Sequence, residues 1–486
     1  TLFAASLGIE ISNKVLKVNL SKEYFFFLKQ NSSYIVALAT QYAGNAESFL
    51  FSGLQALTNI VLTFFFIFTL IVVSWKISVI SFTLLGCFYL ILSIKNQELL
   101  YRLSKKIAKS QKDQITIVQE SIGGIRDIII DSTREKYLSR FYKIVIELKR
   151  AIALQKFISA YPRYLVESFI LCIVGIIAYI FSEKNILIDS IAALGFYALA
   201  SQKILPSIQQ IYGNYSIMNA RLKGVNEVLK VIKNNIYIDK NKEIPEIIFS
   251  NKFELKNLDF KYESRKINTL NDISLTIQKG ERIGIVGTTG SGKSTLLDII
   301  ISLLEPTKGL IKIDEIEIYN SQRSDINKSL MLGWRSLIAY VPQTIFLTDA
   351  SIKENIAFID NLQNINIENV KNCAAQAKLA AFIESLPNGY DTLVGERGLQ
   401  LSGGQIQRLG IARALYKKCP ILVFDEATSA LDNNTEKKLI ESINSMSRDL
   451  TILTVAHRLS TLKNYDRIVV LDNGSISRVC KPNEIL

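Results

Sequence analysis

Histidine is almost missing from this 486-residue chain, with one at position 457, and tryptophan (two), methionine (three) and cysteine (five) are scarce. The cysteines, Cys87, Cys172, Cys373, Cys419 and Cys480, show no metal-ligand spacing, and they read as small apolar fillers in the reduced state rather than as a disulfide framework. No secretory leader with a cleavage site, internal repeat or low-complexity tract is visible. Charge is missing in blocks: no residue from 48 to 75 is charged, nor any from 77 to 94.

At about 1.5 Å of rise per residue, a helix made from either block can approach or cross an apolar layer of roughly 30 Å. The two blocks therefore read as membrane spans joined by a tight turn at Trp75-Lys76. A second, more polar pair, Glu167 to Ile180 and Ile186 to Leu205, contains Glu167, Asp189 and Lys203, and its alternative is a buried helical hairpin. Between Lys95 and Arg163 there are fifteen Lys or Arg against seven Asp or Glu, which places this segment in the cytoplasm. Its excess of eight positive charges supplies more than half of the net charge of +13, and no nucleic-acid partner is needed to explain the basic balance. The apolar stretch Leu2 to Ile9 is too short to span, so sequence is expected to be missing before Thr1.

A chain of this length suggests two or three domains. Residues 1–235 read as a transmembrane domain with long cytoplasmic helical extensions, 236–249 as a linker, and 250–486 as a nucleotide-binding domain. One extension lies in 10–53, with a break at Asn31-Ser-Ser33. Another, 97–160, leaves the membrane, turns near Ser121-Ile-Gly-Gly124 and returns at Pro162. From Phe253 onward, short strands alternate with helices in an α/β pattern with a largely parallel sheet. The strand Arg282 to Val286 leads into a glycine loop and the helix Ser294 to Leu304; further strands are Ile421 to Phe424 and Ile452 to Val455. Residues 365–418 read as an inserted helical subdomain.

The glycine loop runs Gly287-Thr288-Thr289-Gly290-Ser291-Gly292-Lys293-Ser294, followed by Thr295. Triphosphate binding needs many amide donors and few obstructing side chains, which this loop at a helix start supplies. Lys293 adds a positive charge, and the Ser294 hydroxyl suits Mg²⁺. Asp425 ends an apolar strand, where a carboxylate can hold Mg²⁺ through its water shell. Glu426, next in sequence, is placed to polarise an attacking water.

With Leu401-Ser402-Gly403-Gly404-Gln405 some twenty residues before that strand, the chain resembles the ATP-binding-cassette (ABC) family, of which that pentapeptide is the signature. The resemblance implies ATP and Mg²⁺ as cofactors, Tyr262 stacked on adenine, Gln343 sensing the metal and the membrane domain, and His457 acting on the γ-phosphate. It also implies that Ser429-Ala-Leu-Asp432 crosses a dimer interface. Each ATP would lie between the glycine loop of one subunit and Ser402–Gln405 of another, in a head-to-tail dimer with a second copy or a related half-transporter.

Val394-Gly-Glu-Arg-Gly398 resembles an exporter loop, and membrane part before ATPase part is the exporter order. Asn31 to Tyr34 and Gly124 to Thr133 are candidates for the short coupling helices. Exporters of this kind have six spans, of which four and a fragment are visible. Within the family, the regions around Phe27–Ser33 and Gly124–Ile128 look most like bacterial lipid-linked oligosaccharide flippases and peptide exporters. The implied activity is ATP-driven export or flipping of a lipid-linked glycan or other amphipathic lipid across the cell membrane. The alternatives are export of a peptide or lipophilic compound, or a regulatory membrane ATPase. Lys95, Arg163, Glu167 and Lys203 fall at similar depth, and Arg163 and Lys203 are candidates for attracting an anionic head group.

Overall fold

The computed structural model describes residues 2–73, 75–183, 187–233, 245–321, 328–359, 361–395, 398–427, 433–444, 449–456 and 458–485; most side chains between 73 and 93 and between 163 and 205 lie outside this set. The chain forms two compact units, Thr1–Ile238 and Asp239–Leu486.

The first unit is helical: α1 (Leu2–Leu20), α2 (Tyr24–Lys29), α3 (Ser32–Ala37), α4 (Ala43–Val73), α5 (Trp75–Gly123), α6 (Ile125–Ile130), α7 (Arg134–Glu183) and α8 (Leu187–Lys233). At 49, 50 and 47 residues, α5, α7 and α8 each run for about 70 Å, more than twice an apolar membrane core. Pro162 and Pro206 lie inside α7 and α8, so the expected return at Pro162 is a point along one continuous helix.

The expected break at Asn31 is a helix start. Its side-chain oxygen accepts from the Ser33 amide (3.0 Å) and hydroxyl (2.7 Å), capping α3. Between α3 and α4 the chain forms a π turn, Leu38–Tyr42, in which the Ala43 amide reaches back to the Leu38 carbonyl. Two apolar clusters hold this unit together. One joins Val15 and Val18 of α1 to Ala37, Leu38, Tyr42, Ala108 and Val228; the other joins Leu100, Leu103 and Ile107 of α5 to Leu148, Ala151 and Ile158 of α7. Asn96 of α5 donates to the hydroxyls of Tyr161 (3.1 Å) and Tyr212 (2.9 Å), linking three helices through buried polar contacts.

Among the described residues, the helical stretch Ser32–Thr69 is long and apolar enough to cross a membrane, and only 17% of its most apolar window is buried. A soluble-core helix would have most of that window covered within the chain. The side chains of Arg163 and Lys203 lie outside the described residues; Lys95 is exposed and Glu167 half-buried.

The second unit has two sheets. An antiparallel one has the order β2-β1-β4-β5, from β1 (Lys252–Phe260), β2 (Leu270–Gln278), β4 (Lys308–Ile313) and β5 (Ile316–Asn320). The other has the order β10-β9-β3-β8-β7-β6, from β3 (Arg282–Gly287), β6 (Ile338–Val341), β7 (Ile421–Asp425), β8 (Thr451–Val455), β9 (Arg467–Asp472) and β10 (Ser475–Cys480). All pairs in it are parallel except β9–β10. The helices are α9 (Lys293–Ile300), α10 (Lys328–Ser336), α11 (Ile352–Ala357), α12 (Ile367–Gln376), α13 (Ala380–Glu384), α14 (Gly403–Tyr416) and α15 (Asn433–Asn444). Helices α11 to α14 form the inserted subdomain around Ile356, Val370, Ala374, Ile383 and Leu409.

The six-stranded sheet is the largely parallel one expected, and the four-stranded antiparallel sheet lies outside that expectation. Trp334 of α10 joins it to the rest: its ring stacks on Phe253 (4.7 Å, 2°) and its Nε1–H donates to the Ile300 carbonyl (2.7 Å). Helix α9 also ends earlier than Leu304. Ser302 is left-handed (φ 58°), which turns the amides of Leu303 and Leu304 back onto the Asp298 carbonyl in place of the next helical acceptors.

Candidate nucleotide site

Strand register brings the candidate residues to one edge. Ile285 of β3 pairs with Val455 of β8, Val455 with Asp425 of β7, and Phe424 with Val341 of β6. The glycine loop, the Asp425-Glu426 pair and Gln343 therefore all leave the carboxyl edge of a parallel sheet, where α/β folds gather ligands.

The loop's shape depends on its glycines. A side chain at Gly287 would place its Cβ 2.2 Å from the Leu471 carbonyl oxygen, so β9 itself excludes one. Gly292 starts α9 at φ 101°, in left-handed backbone suited to glycine. Lys293 is buried, and its ammonium donates to the carbonyls of Gly287 (2.9 Å) and Thr288 (3.0 Å), folding the side chain along the loop. Thr288, Thr289, Gly290 and Ser294 are exposed. The Ser291 hydroxyl is buried and has no hydrogen-bond partner among the described residues. An exposed run of amides, a retracted ammonium and an orphaned hydroxyl fit a triphosphate.

Tyr262 lies beside the loop: its hydroxyl meets that of Thr295 at 3.2 Å, and Phe260 abuts its ring edge-on (4.8 Å, 89°). Asp425 accepts from the Tyr340 hydroxyl (3.3 Å). Burial, with the Glu426 charge in addition, pushes the Asp425 carboxyl above its usual range, while Lys293 pulls the other way. Burial, and then the charge of Asp425, raises Asp298 to about 6. Carboxylate and hydroxyl oxygens such as those of Asp425 and Ser294 are the donor type a Mg²⁺ ion takes, and among the described residues no group of three or more acidic, histidine or cysteine side chains is gathered into a metal cluster.

Glu426 is left-handed (φ 50°), a conformation that costs a non-glycine residue about 1–3 kcal/mol. Its amide donates to the Val455 carbonyl (3.1 Å), and its carboxylate accepts from Gln343 Nε2 at 2.7 Å. Ser402 caps α14 in a reciprocal box: its hydroxyl accepts from the Gln405 amide (3.3 Å), and the Gln405 side chain accepts from the Ser402 amide (2.7 Å). Gly403 and Gly404 are the first two residues of that helix, whose amides have no intrahelical acceptor. His457, Ser429 to Asp432, and Glu396 and Arg397 of the expected exporter loop lie outside the described residues.

Two residues near this edge were not singled out from sequence. Asp298 is the one acidic residue in the apolar run Leu296–Ile300, and Tyr340 stands two positions before Pro342-Gln343; a carboxylate on a buried helix and a hydroxyl at a strand end were the available signals.

A family model described as ABC transporter matches residues 270–429. The heterocyst differentiation ATP-binding protein HepA of a Nostoc strain is 33% identical over 90% of this chain and 70% of its own length. The ATP-dependent lipid A-core flippase of Bordetella avium is 32% identical over 78% of this chain and 62% of its own, and that of Hahella chejuensis 31% over 86% and 70%. The structure of a bacterial Atm1-family ABC exporter with ATP bound superposes with a TM-score of 0.84 at 24% identity, covering all of this chain and 83% of that one. Helical unit first and matching cassette second, this chain belongs to the ABC transporter family, as an exporter-type half-transporter whose ATP hydrolysis is coupled to transport.

Proposed function

We propose that two copies of this chain flip a lipid-linked glycan or another amphipathic lipid across the cytoplasmic membrane by alternating access. The observation that carries the enzymatic half is the Gln343–Glu426 contact at 2.7 Å on the sheet edge that bears the glycine loop. For the cargo, support comes from relatives named lipid A-core flippases that match 78–86% of this chain. A second reading, export of lipophilic compounds, draws on 40% identity to the putative multidrug export protein YgaD of Bacillus subtilis, over 48% of this chain.

In this reading residues 1–235 are the membrane domain, 236–249 a linker and 250–486 the ATPase. Tyr262 stacks on adenine, and the amides from Gly287 to Thr295 with the Lys293 ammonium hold the triphosphate. Ser294, Asp425 and Gln343 would hold Mg²⁺, which when bound neutralises phosphate charge. The Glu426 carboxylate takes the proton of the water that attacks the terminal phosphorus, and Gln343 keeps that carboxylate aimed. His457 contacts the same phosphate. Ser402, Gly403, Gly404 and Gln405 of the second subunit close the site with a helix N-terminus. A related half-transporter in place of the second copy would leave this chemistry unchanged.

The test is ATP hydrolysis and flipping of a fluorescent lipid-linked glycan in the same liposomes, wild type against Glu426→Gln. Loss of both together supports the flippase. Hydrolysis without flux in the wild type rejects this cargo and moves lipophilic compounds to the front.

A further inference from the structure

Helix α14 is fastened to the segment that follows Gln343 by contacts that the nucleotide site does not use. Gly410 allows the first: a Cβ there would come 2.3 Å from Ile345 Cδ1, so the isoleucine packs directly on the helix backbone. Arg413, one turn further on, makes the rest. Its Nε donates to the Asn355 carbonyl (2.8 Å), Nη1 to the Phe346 carbonyl (2.9 Å) and Nη2 to Asn355 Oδ1 (3.1 Å), and its guanidinium lies 4.4 Å from the Phe358 ring centre. The Asn355 carbonyl is in the last turn of α11, where the helix has no amide left to offer it. Phe358, the left-handed residue that ends α11, is held under the cation.

Asn355 is the centre of this joint. It is fully buried, and its Oδ1 accepts from the Thr348 amide (3.0 Å) and hydroxyl (3.2 Å) as well as from Arg413. Its Nδ2 donates to the carbonyls of Thr348 (3.0 Å) and Ser351 (3.2 Å). Every acceptor of Arg413 is a neutral amide oxygen, and burial pushes the guanidinium down to about 10. Among the described residues this half-buried cation is held by carbonyl oxygens and by no carboxylate, so its fork serves geometry.

We propose that Arg413 is a positioning residue for hydrolysis, locking Ile345–Phe358 to α14 so that the segment leaving Gln343 and the glycine start of α14 move as one body. This rests on the roles proposed above for Gln343 and Ser402–Gln405. Its effect is to pass a displacement at one subunit's terminal phosphate directly to the helix that closes the other site.

The experiment uses the full chain in lipid nanodiscs. Spin labels replace the exposed Phe346 and Leu399, and distance distributions are recorded with and without ATP. Labelled chains are diluted in an excess of unlabelled ones so that only the distance within one subunit is read, and for the parent protein one narrow distance, unchanged by ATP, is expected. In Arg413→Gln the distribution broadens and kcat falls about tenfold, while KM and the affinity for a fluorescent ATP analogue stay within about threefold. Arg413→Lys, which keeps the charge without the fork, recovers part of kcat. A parent distance that shifts with ATP, or an Arg413→Gln protein with unaltered width and kcat, overturns the proposal. So does loss of nucleotide affinity and melting temperature together, which marks a purely structural residue. Hydrolysis surviving in Glu426→Gln would overturn the site reading instead, and the label distances would be unaffected by that result.

Discussion

Gln343 and Glu426 each stand two residues beyond the same rung of the sheet, Val341 opposite Phe424, and the amide of one donates to the carboxylate of the other at 2.7 Å. Adjacent parallel strands thus deliver a polar side chain and a strained carboxylate to one point. If Glu426 is the general base, Glu426→Gln lowers hydrolysis by about a hundredfold or more while leaving ATP affinity within about twofold. Gln343→Ala leaves the base in place and loosens it, with a loss of about tenfold. Phosphate release and titration with a fluorescent nucleotide separate the two effects.

Lys293 bridges its own loop through the Gly287 and Thr288 carbonyls. Lys293→Ala removes both contacts and the charge offered to the triphosphate. A charge-assisted hydrogen bond contributes about 1.5–3 kcal/mol, so ATP affinity should fall about tenfold to a hundredfold. ADP and ATP titrations of the full chain check this, and equal affinity in the variant would reject the assigned role.

Asp298 provides a pH signature. With its carboxyl raised to about 6 in the fold, the native state binds more protons than the unfolded chain between about pH 4 and pH 6, so this group lowers stability as pH rises through that window. Asp298→Asn should therefore melt higher than wild type above about pH 6, with the gap closing toward about pH 4. Melting is measured without nucleotide or divalent ions, whose positive charge would mask the effect. A gap constant across pH contradicts it.

Trp334 closes the space between the sheets, stacked on Phe253 and edge-on to Phe249 (5.8 Å). Trp334→Ala leaves a cavity and orphans the Ile300 carbonyl at the end of α9, at a cost of about 3–5 kcal/mol. Because α9 carries Lys293 at its start, nucleotide affinity should weaken along with denaturant resistance. Trp334→Phe keeps the stack without the hydrogen bond and should cost less than half as much.

Local signals made the parallel sheet legible. Arg282–Val286, Ile421–Phe424 and Ile452–Val455 are short apolar runs ending in glycine, Asp-Glu and the position before His457, and all three are strands. The antiparallel sheet is less legible because irregular register breaks the inward and outward alternation of β1, and its strands meet only through long-range pairing, Phe253 with both Ile277 and Ile313. Asp298 and Arg413 were hidden for a related reason: each sits on a helix whose periodicity explains its position, and only tertiary neighbours distinguish it. The end of α9 escaped because the left-handed Ser302 carries no glycine to announce it.

The π turn at Leu38–Tyr42 puts one more residue into a helical turn than an α-helix holds. One residue of α-helix sweeps about 100°, so the turn resets the azimuth between α3 and α4. Below it, Ala37 faces the cluster with Val15 and Val228; above it, Phe64, Phe65 and Phe68 point outward. Deleting a single residue from this turn would leave hydropathy and helix content almost untouched. It would also rotate the whole apolar stretch of α4 about its own axis by roughly a quarter turn relative to α3, a lesion of phase rather than of composition.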